Sequence, residues 1–296
     1  MLAAIVANCA GTYNTGMSDS SDHNDLPELY LTLLKRVLTN HFGSDNGLRI
    51  SYLLHCMDTS QPYDLEHVIN IPFHEPDRII ALANDPDCQD NYRERIFGFP
   101  YTMIGRSRLD SLQWMIETIH REEIPGDCLE AGVWRGGASI FMRAMLKLLG
   151  DNKRKVFVAD SFEGLPPPVL SEDKGLNFHL DRTLAVSLET VQKNFADFDL
   201  LDDKVIFVKG WFEDTLHSVD TEGLAILRAD GDLYKSTIDI LDSLYHKVST
   251  GGFIIIDDYG AIEVCCKAVT EFRNTHGIED PIERIDWTGA YWRRSD

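Results

Sequence analysis

From about residue 125 onward, short apolar runs alternate with segments in which apolar positions recur at helical spacing. "DCLEAGVW", "KVFVADSF", "KVIFVKGWF", "GLAILRADGD" and "GGFIIIDDYG" read as strands, the last delivered after a Gly-Gly turn. Between them "GGASIFMRAMLKLLG", closed by Gly150, "SLETVQKNFADF", "YKSTIDILDSLYHKV" and "EVCCKAVTEFRNTHG" read as helices, and "IERIDWTGAYWRR" reads as a final strand pair. Apolar strands separated by helices predict an α/β, Rossmann-like fold with a mostly parallel sheet covered on both faces. Upstream, "LPELYLTLLKRVLTNHF" predicts an amphipathic helix with Pro27 in its first turn and Leu29, Leu33 and Val37 on its apolar stripe. A second helix, "SRLDSLQWMIETIHRE", carries Leu109, Leu112, Ile116 and Ile119. Residues 43–100 read as loops and short helices draped on the core. The expected organisation is a flexible tail over 1–24, an N-terminal helical and acceptor-side region over 25–124, and a core over 125–296 that forms one compact unit with it.

Charge narrows the choice of partner. The chain has 296 residues, with 28 basic against 48 acidic side chains and a net charge of -20, which repels a phosphate backbone. The short basic groups at 151–155 and 291–294 form no arm, so no nucleic-acid partner is expected. Six cysteines without a CxxC fit reduced thiols in the cytoplasm. The apolar start lacks the basic flank of a leader, and no run is long enough to span a membrane.

In such a sheet, ligands gather at the carboxyl ends of the strands. The turn "EAGVWRGGAS" places Gly132, Gly136 and Gly137 after a strand, where backbone can approach a ligand closely. It is not the strict G-x-G-x-x-G pattern, and Glu130 suits an ammonium group better than a pyrophosphate; the competing reading is a plain strand-to-helix turn. Asp160, closing the second strand, suits the two hydroxyls of a ribose or, alternatively, a helix cap. Together these residues suggest S-adenosylmethionine. Asp230, Asp257 and Asp258 end two strands that a right-handed crossover brings together. Carboxylates so placed repel unless a hard cation such as magnesium joins them, although separate caps remain the alternative. Asp232, alternating with Asp230, suits a general base that faces substrate.

The series "YTMIGRSRLD", "CLEAGVWRGGAS", "VADSFEGLPPP", "LRADGDLYKST", "GGFIIIDDYG" and "DWTGAYWRR" resembles the macrocin O-methyltransferase family over about residues 28–294. The resemblance implies a class I, seven-stranded methyltransferase fold, dependent on S-adenosylmethionine and magnesium and usually dimeric. It further implies methylation of a sugar hydroxyl on a glycosylated natural product. By residue it implies Asp230, Asp257 and Asp258 as metal ligands and Asp232 as catalytic base. Glu130 and the Gly132–Gly137 turn, with Gly136 inside it and Thr102 and Met103 nearby, would meet the methionine portion. Asp160 and Ser161 would meet the ribose, and Gly210, Trp211 and Phe212 the adenine. "PPPVLSEDKGLNFHL" and the N-terminal helices are the expected lids. Of the histidines, His276 alone is held open as a site residue. Methylation of a phenolic or catechol-like hydroxyl, a non-catalytic cofactor-binding protein and a nicotinamide dehydrogenase are the competing readings; the missing dinucleotide fingerprint weighs against the last.

Overall fold

The computed structural model describes residues 26–295, so the expected 1–24 tail lies outside the described residues. In chain order the elements are helices α1 Leu26–Leu38, α2 Asp45–Asp58, α3 Leu65–His74, α4 Pro76–Asn84, α5 Tyr92–Phe97 and α6 Arg106–Arg121. Then come β1 Asp127–Ala131, α7 Gly137–Leu148, β2 Val156–Asp160, α8 Leu188–Asp197, β3 Val205–Lys209, α9 Phe212–Thr215 and β4 Leu224–Ala229. α10 Tyr234–Leu244, β5 Val248–Ile256, α11 Glu263–His276, β6 Glu283–Arg284 and β7 Ala290–Arg293 complete the chain.

The seven strands lie in the order β3-β2-β1-β4-β5-β7-β6. β1 to β5 are parallel; β7 alone of the seven runs against them, and β6, antiparallel to β7, shares their direction. This is the class I methyltransferase topology, and its order reverses between β1 and β4, where a crevice must open. Successive strand residues face opposite layers. Cys128, Val158 and Ile226 join the layer containing Leu109, Ile116 and Phe141. Leu129, Phe157 and Leu227 join the layer containing Ile240, Leu241 and Val269. Each fully buried Leu, Ile or Phe contributes about 1.5–3 kcal/mol, so both faces are anchored and only the strand ends stay open. Among the described residues no helix is long and apolar enough to cross a membrane.

Four expectations change. On α1 the buried stripe is Leu31, Leu34 and Leu38, whereas Leu29 and Leu33 are 64% and 51% exposed. Both leucine stripes have helical spacing; buried Lys35 helps to select the inner one, because its Nζ reaches Asp110 and Gln113 of α6 at 2.5 Å each. Residues 43–100 are mostly helical, from α2 to α5, instead of loops with short helices. Gly251 and Gly252 lie within β5 rather than in a turn before it. Short α9 had no helical period to announce it.

Candidate active site

At their carboxyl ends the central strands stop side by side. The Gly132 amide donates to the Ala159 carbonyl at 2.9 Å, Asp230 to Ala131 at 2.8 Å, and Asp257 to Ala229 at 3.0 Å. A Cβ on Gly132, whose φ is 89°, would lie 1.8 Å from the Asp230 carbonyl oxygen. The turn after β1 is therefore pressed against the end of β4, which only glycine permits. Glu130 pairs with Arg228 across the ladder, and Arg228 with Ile255. Because side chains repeat every second residue, Glu130, Arg228, Asp230 and Asp257 share one face of the sheet.

Arg228 organises that face. It is 3% exposed, and its Nη1 donates to Glu130 Oε1 at 2.5 Å and to Asp230 Oδ2 at 3.0 Å. Its Nη2 donates to Asp257 Oδ1. Arg108, from α6, donates to the other oxygen of Asp257 at 2.6 Å and forms an ion pair with Asp286 at 2.9 Å. Ser139 of α7 donates to Glu130 Oε2. Burial alone would raise the Asp257 carboxyl, but the guanidinium groups of Arg108 and Arg228 outweigh it and hold the carboxyl below its ordinary range.

The remaining acids behave oppositely. Burial, reinforced by the Asp257 charge, pushes Asp230 up to about 6. Burial and the charges of Asp230 and Asp257 push Asp232 up to about 7. Asp258 is raised well above its ordinary value by burial and then by Asp232, Asp230 and Asp257, and its buried Oδ2 has no hydrogen-bond partner. One carboxylate oxygen from each of Asp230, Asp257 and Asp258 falls within a group 4.8 Å across. An orphaned buried oxygen among mutually repelling carboxylates fits a hard divalent cation, so this donor set suits magnesium.

A cavity of about 580 Å³ opens over these strand ends. Thr102, Met103, Glu130, Gly132, Asp160, Ser161, Gly210, Trp211, Phe212, Asp230, Asp232, Asp257 and Asp258 all line it. Asp160 spends both oxygens on the turns, accepting from the Val133 amide at 2.8 Å and the Phe162 amide at 2.7 Å. Gly136 is not among the lining residues: it precedes α7 at φ 84°, where a Cβ would lie 2.8 Å from Val191 of α8, so it serves helix packing. His276 also stands apart, at the far end of α11, with Nδ1 2.9 Å from the Phe272 carbonyl and its ring against that phenyl.

Residues 27–294 match the family model described as Macrocin-O-methyltransferase (TylF). The chain belongs to this macrocin O-methyltransferase family. It is 42% identical over 276 residues to the 8-demethyl-8-(2,3-dimethoxy-alpha-L-rhamnosyl)-tetracenomycin-C 4'-O-methyltransferase of Streptomyces olivaceus, covering 92% of this chain and 94% of that one. It is 44% identical to the mycinamicin III 3''-O-methyltransferase of Micromonospora griseorubida, covering 77% and 93%. The solved structure of the O-methyltransferase NovP superposes with a TM-score of 0.73 at 36% identity, covering 91% and 99%. The macrocin O-methyltransferase fold described above is thus an S-adenosylmethionine-dependent O-methyltransferase.

Sequence reasoning missed Arg108, Arg228, Ser139 and Asp286 in this methyltransferase. The available signal was a charged residue inside an apolar run, Arg228 in "AILRAD", which needs a buried partner to sit there. Glu130, assigned to a ligand's ammonium, already has its opposite charge in Arg228.

Two measurements check this electrostatic account. Arg228→Met leaves three carboxylates without their shared cation and is expected to destabilise the fold by about 3–5 kcal/mol in denaturant titrations; a loss below about 1 kcal/mol would refute the role. A carboxyl raised in the folded state binds more protons there than in the unfolded chain, so its stabilisation is lost as pH rises through the folded value. Asp230 and Asp232 therefore lower stability between about pH 4 and their folded values of about 6 and 7. Added magnesium is expected to raise Tm more at about pH 8 than at about pH 5, relative to chelator; equal gains would mean these carboxylates do not take the cation.

Proposed function

We propose that the chain transfers a methyl group from S-adenosylmethionine to a hydroxyl of a sugar carried on a glycosylated natural product. The observation that carries this reading is the acidic cluster of β4 and β5 opening into the same cavity as the glycine turn after β1. The acceptor class draws support from the rhamnosyl tetracenomycin named for the Streptomyces relative, which the chain matches along nearly its full length.

In this proposal Asp230, Asp257 and Asp258 hold magnesium. When bound there, that cation supplies positive charge that makes the acceptor hydroxyl more acidic and orients its oxygen. Asp232 takes the hydroxyl proton as the oxygen attacks the methyl carbon in line, the sulfur–methyl bond breaks with its electron pair on sulfur, and S-adenosylhomocysteine leaves. Its folded-state value of about 7 suits that task, because a base poised near the working pH accepts a proton and releases it again. Arg108 and Arg228 keep Asp257 ionised and aimed. Thr102, Met103, Glu130 and Gly132 border the methionine end of the cavity, Asp160 and Ser161 the ribose, and Gly210, Trp211 and Phe212 the adenine.

We further propose a homodimer acting in the cytoplasm. Phe42, Met57, Leu65, Ile69 and Phe73, all in the N-terminal helical region, are 60–80% exposed, and a concentration of open apolar side chains, unlike a single one, marks an association surface. The free cysteines agree with a reducing compartment.

Methyl transfer to a panel of glycosides bearing unmethylated sugars, followed by mass spectrometry, tests the activity. Asp232→Asn is expected to lower kcat on the order of 10²–10⁴-fold with little change in cofactor affinity. Turnover that persists in chelator removes magnesium from the scheme. Transfer to catechols and to no glycoside supports the phenolic reading instead, and cofactor binding without any transfer supports a scaffold. Light scattering is expected to give twice the mass of one chain, with Phe73→Glu shifting the particle toward monomer; a wild-type monomer ends the dimer proposal.

A further inference from the structure

We propose that Asp173 is a positioning residue for methyl transfer: it ties the segment covering the cavity to the first turn of α10 and so fixes the Asp230–Leu233 turn. The inference rests on the reading of Asp232 as the base.

A helix begins with four amides that lack an internal partner, and a Ser, Thr, Asp or Asn before the first turn normally accepts from one of them. α10 has none. The residue in that place is Leu233, which offers no side-chain acceptor, and the first turn holds no acid. The acceptor arrives from elsewhere in the chain. Asp173 Oδ1 accepts from the Tyr234 amide at 2.7 Å, and Oδ2 from the Lys235 amide at 3.2 Å, across a separation of 61 residues for the first pair. The residue is 1% exposed, and its negative charge lies where the helix dipole favours one. A buried carboxylate is costly unless hydrogen bonded, so this contact also decides where its own segment rests.

That segment, residues 161–187 between β2 and α8, runs over the cavity and lines it with Pro166, Pro167, Phe178 and Leu184. Val169 and Leu180 are largely exposed, so apolar burial alone does not hold the segment down. Polar clasps hold it: Trp134 Nε1 donates to the Thr183 carbonyl at 2.9 Å, Glu172 pairs with Lys267 of α11 at 3.3 Å, and Asp173 sits beside the latter. On the other side of the clasp, Asp232 has a φ of 55°. The Leu233 amide turns back to the Gly231 carbonyl at 2.5 Å, and the Thr237 amide reaches the Leu233 carbonyl at 2.9 Å. Gly231 to Thr237 thus form one short hydrogen-bonded unit, so displacing the first turn of α10 displaces the base. A shift of about 1 Å at a reacting group is enough to cost a hundredfold in rate.

The test compares Asp173→Ala, Asp173→Asn, Tyr234→Pro and Tyr234→Ala with the wild type for kcat, KM, cofactor Kd by calorimetry, Tm, and amide exchange. Asp173→Ala is expected to lower kcat on the order of ten- to a hundredfold while cofactor Kd stays within about twofold. Asp173→Asn, which keeps an acceptor oxygen, is expected to recover most of the rate. Tyr234→Pro removes the donated hydrogen with Asp173 intact, and proline suits the first helical position; Tyr234→Ala, which keeps the amide and loses the hydroxyl bond to Glu271, is its control, and only the proline variant is expected to reproduce the loss. Exchange at residues 231–235 and 172–175 is expected to quicken together. A lowered Tm with kcat preserved would assign Asp173 to stability alone and overturn the proposal, as would an equal loss in the Asn and Ala variants. Should Asp173→Ala fail to fold, Asp173→Asn and Tyr234→Pro decide. Asp232→Asn, run in parallel, separates the two readings: an undiminished rate there removes the base assignment, while the exchange data judge the Asp173 clasp independently.

Discussion

Arg228 sits in the middle of a parallel sheet, where taking a guanidinium out of water costs several kcal/mol. It is tolerated because Glu130, Asp230 and Asp257 converge on it from three neighbouring strands. The same contact permits the reverse: three acids at adjacent strand ends would otherwise repel one another. Truncating either side strands the other charge in the interior, so the arginine and the acids are a single structural decision. Glu130 is the inner end of this network and Asp258 its outer edge, where a buried carboxylate oxygen lacks a hydrogen-bond partner. Compensation is complete beneath the cavity and incomplete at its floor, which is the gradient a cation site requires.

Parts of the chain outside the parallel strands complete that floor. α6 contributes Arg108, which grips Asp257 from the side that Arg228 does not reach. The β6–β7 hairpin contributes Asp286 to Arg108 and the Thr288 hydroxyl to the Asp257 carbonyl at 2.7 Å. Tyr92 of α5 and Trp287 of the hairpin then meet edge to face across the cavity wall, with ring centres 5.7 Å apart. Class I sheets supply the strand ends, whereas one wall of the cavity here is assembled from an N-terminal helix region and a C-terminal hairpin. The strand ends and the hairpin carry recognisable short motifs, while residues 43–100 carry none.

The strands and the acids at their ends were legible because they depend on local composition: apolar runs, glycine turns and repeated Asp at the same structural position. The face of α1 was not, since Leu29 and Leu33 recur as regularly as Leu31, Leu34 and Leu38, and a contact 75 residues away, Lys35 with Asp110, bears on the choice. Arg228 and Arg108 were visible as letters but not as partners, because pairing across strands and helices leaves no spacing in one chain. Gly136 looked equivalent to Gly132. Only the neighbours separate them, the Asp230 carbonyl for one and the Val191 side chain for the other. Asp173 had no signal at all, since the missing cap of α10 is evident only once the helix start is known.

The turn after β4 shows how a departure from local preference can mark a site. By residue type Gly231 is the flexible residue of "ADGD", yet the left-handed conformation falls on Asp232, at φ 55°. Gly231 serves a different end: a Cβ there would lie 3.1 Å from Ile240, Ser236 and Thr237, tighter than ordinary contact, so glycine eases the close pass of the chain by α10. Trp134 after β1 and Phe162 after β2 also adopt positive φ, at 48° and 58°. Such conformations cost of order 1–3 kcal/mol each and persist where surrounding contacts determine them. Aspartate tolerates this region better than tryptophan or phenylalanine, because a short polar side chain bonds locally. Three strand ends around one cavity therefore hold residues away from their preferred backbone. At Asp232 the conformation turns the chain between the acidic cluster and α10, leaving its carboxylate beside Asp258 and in the cavity lining.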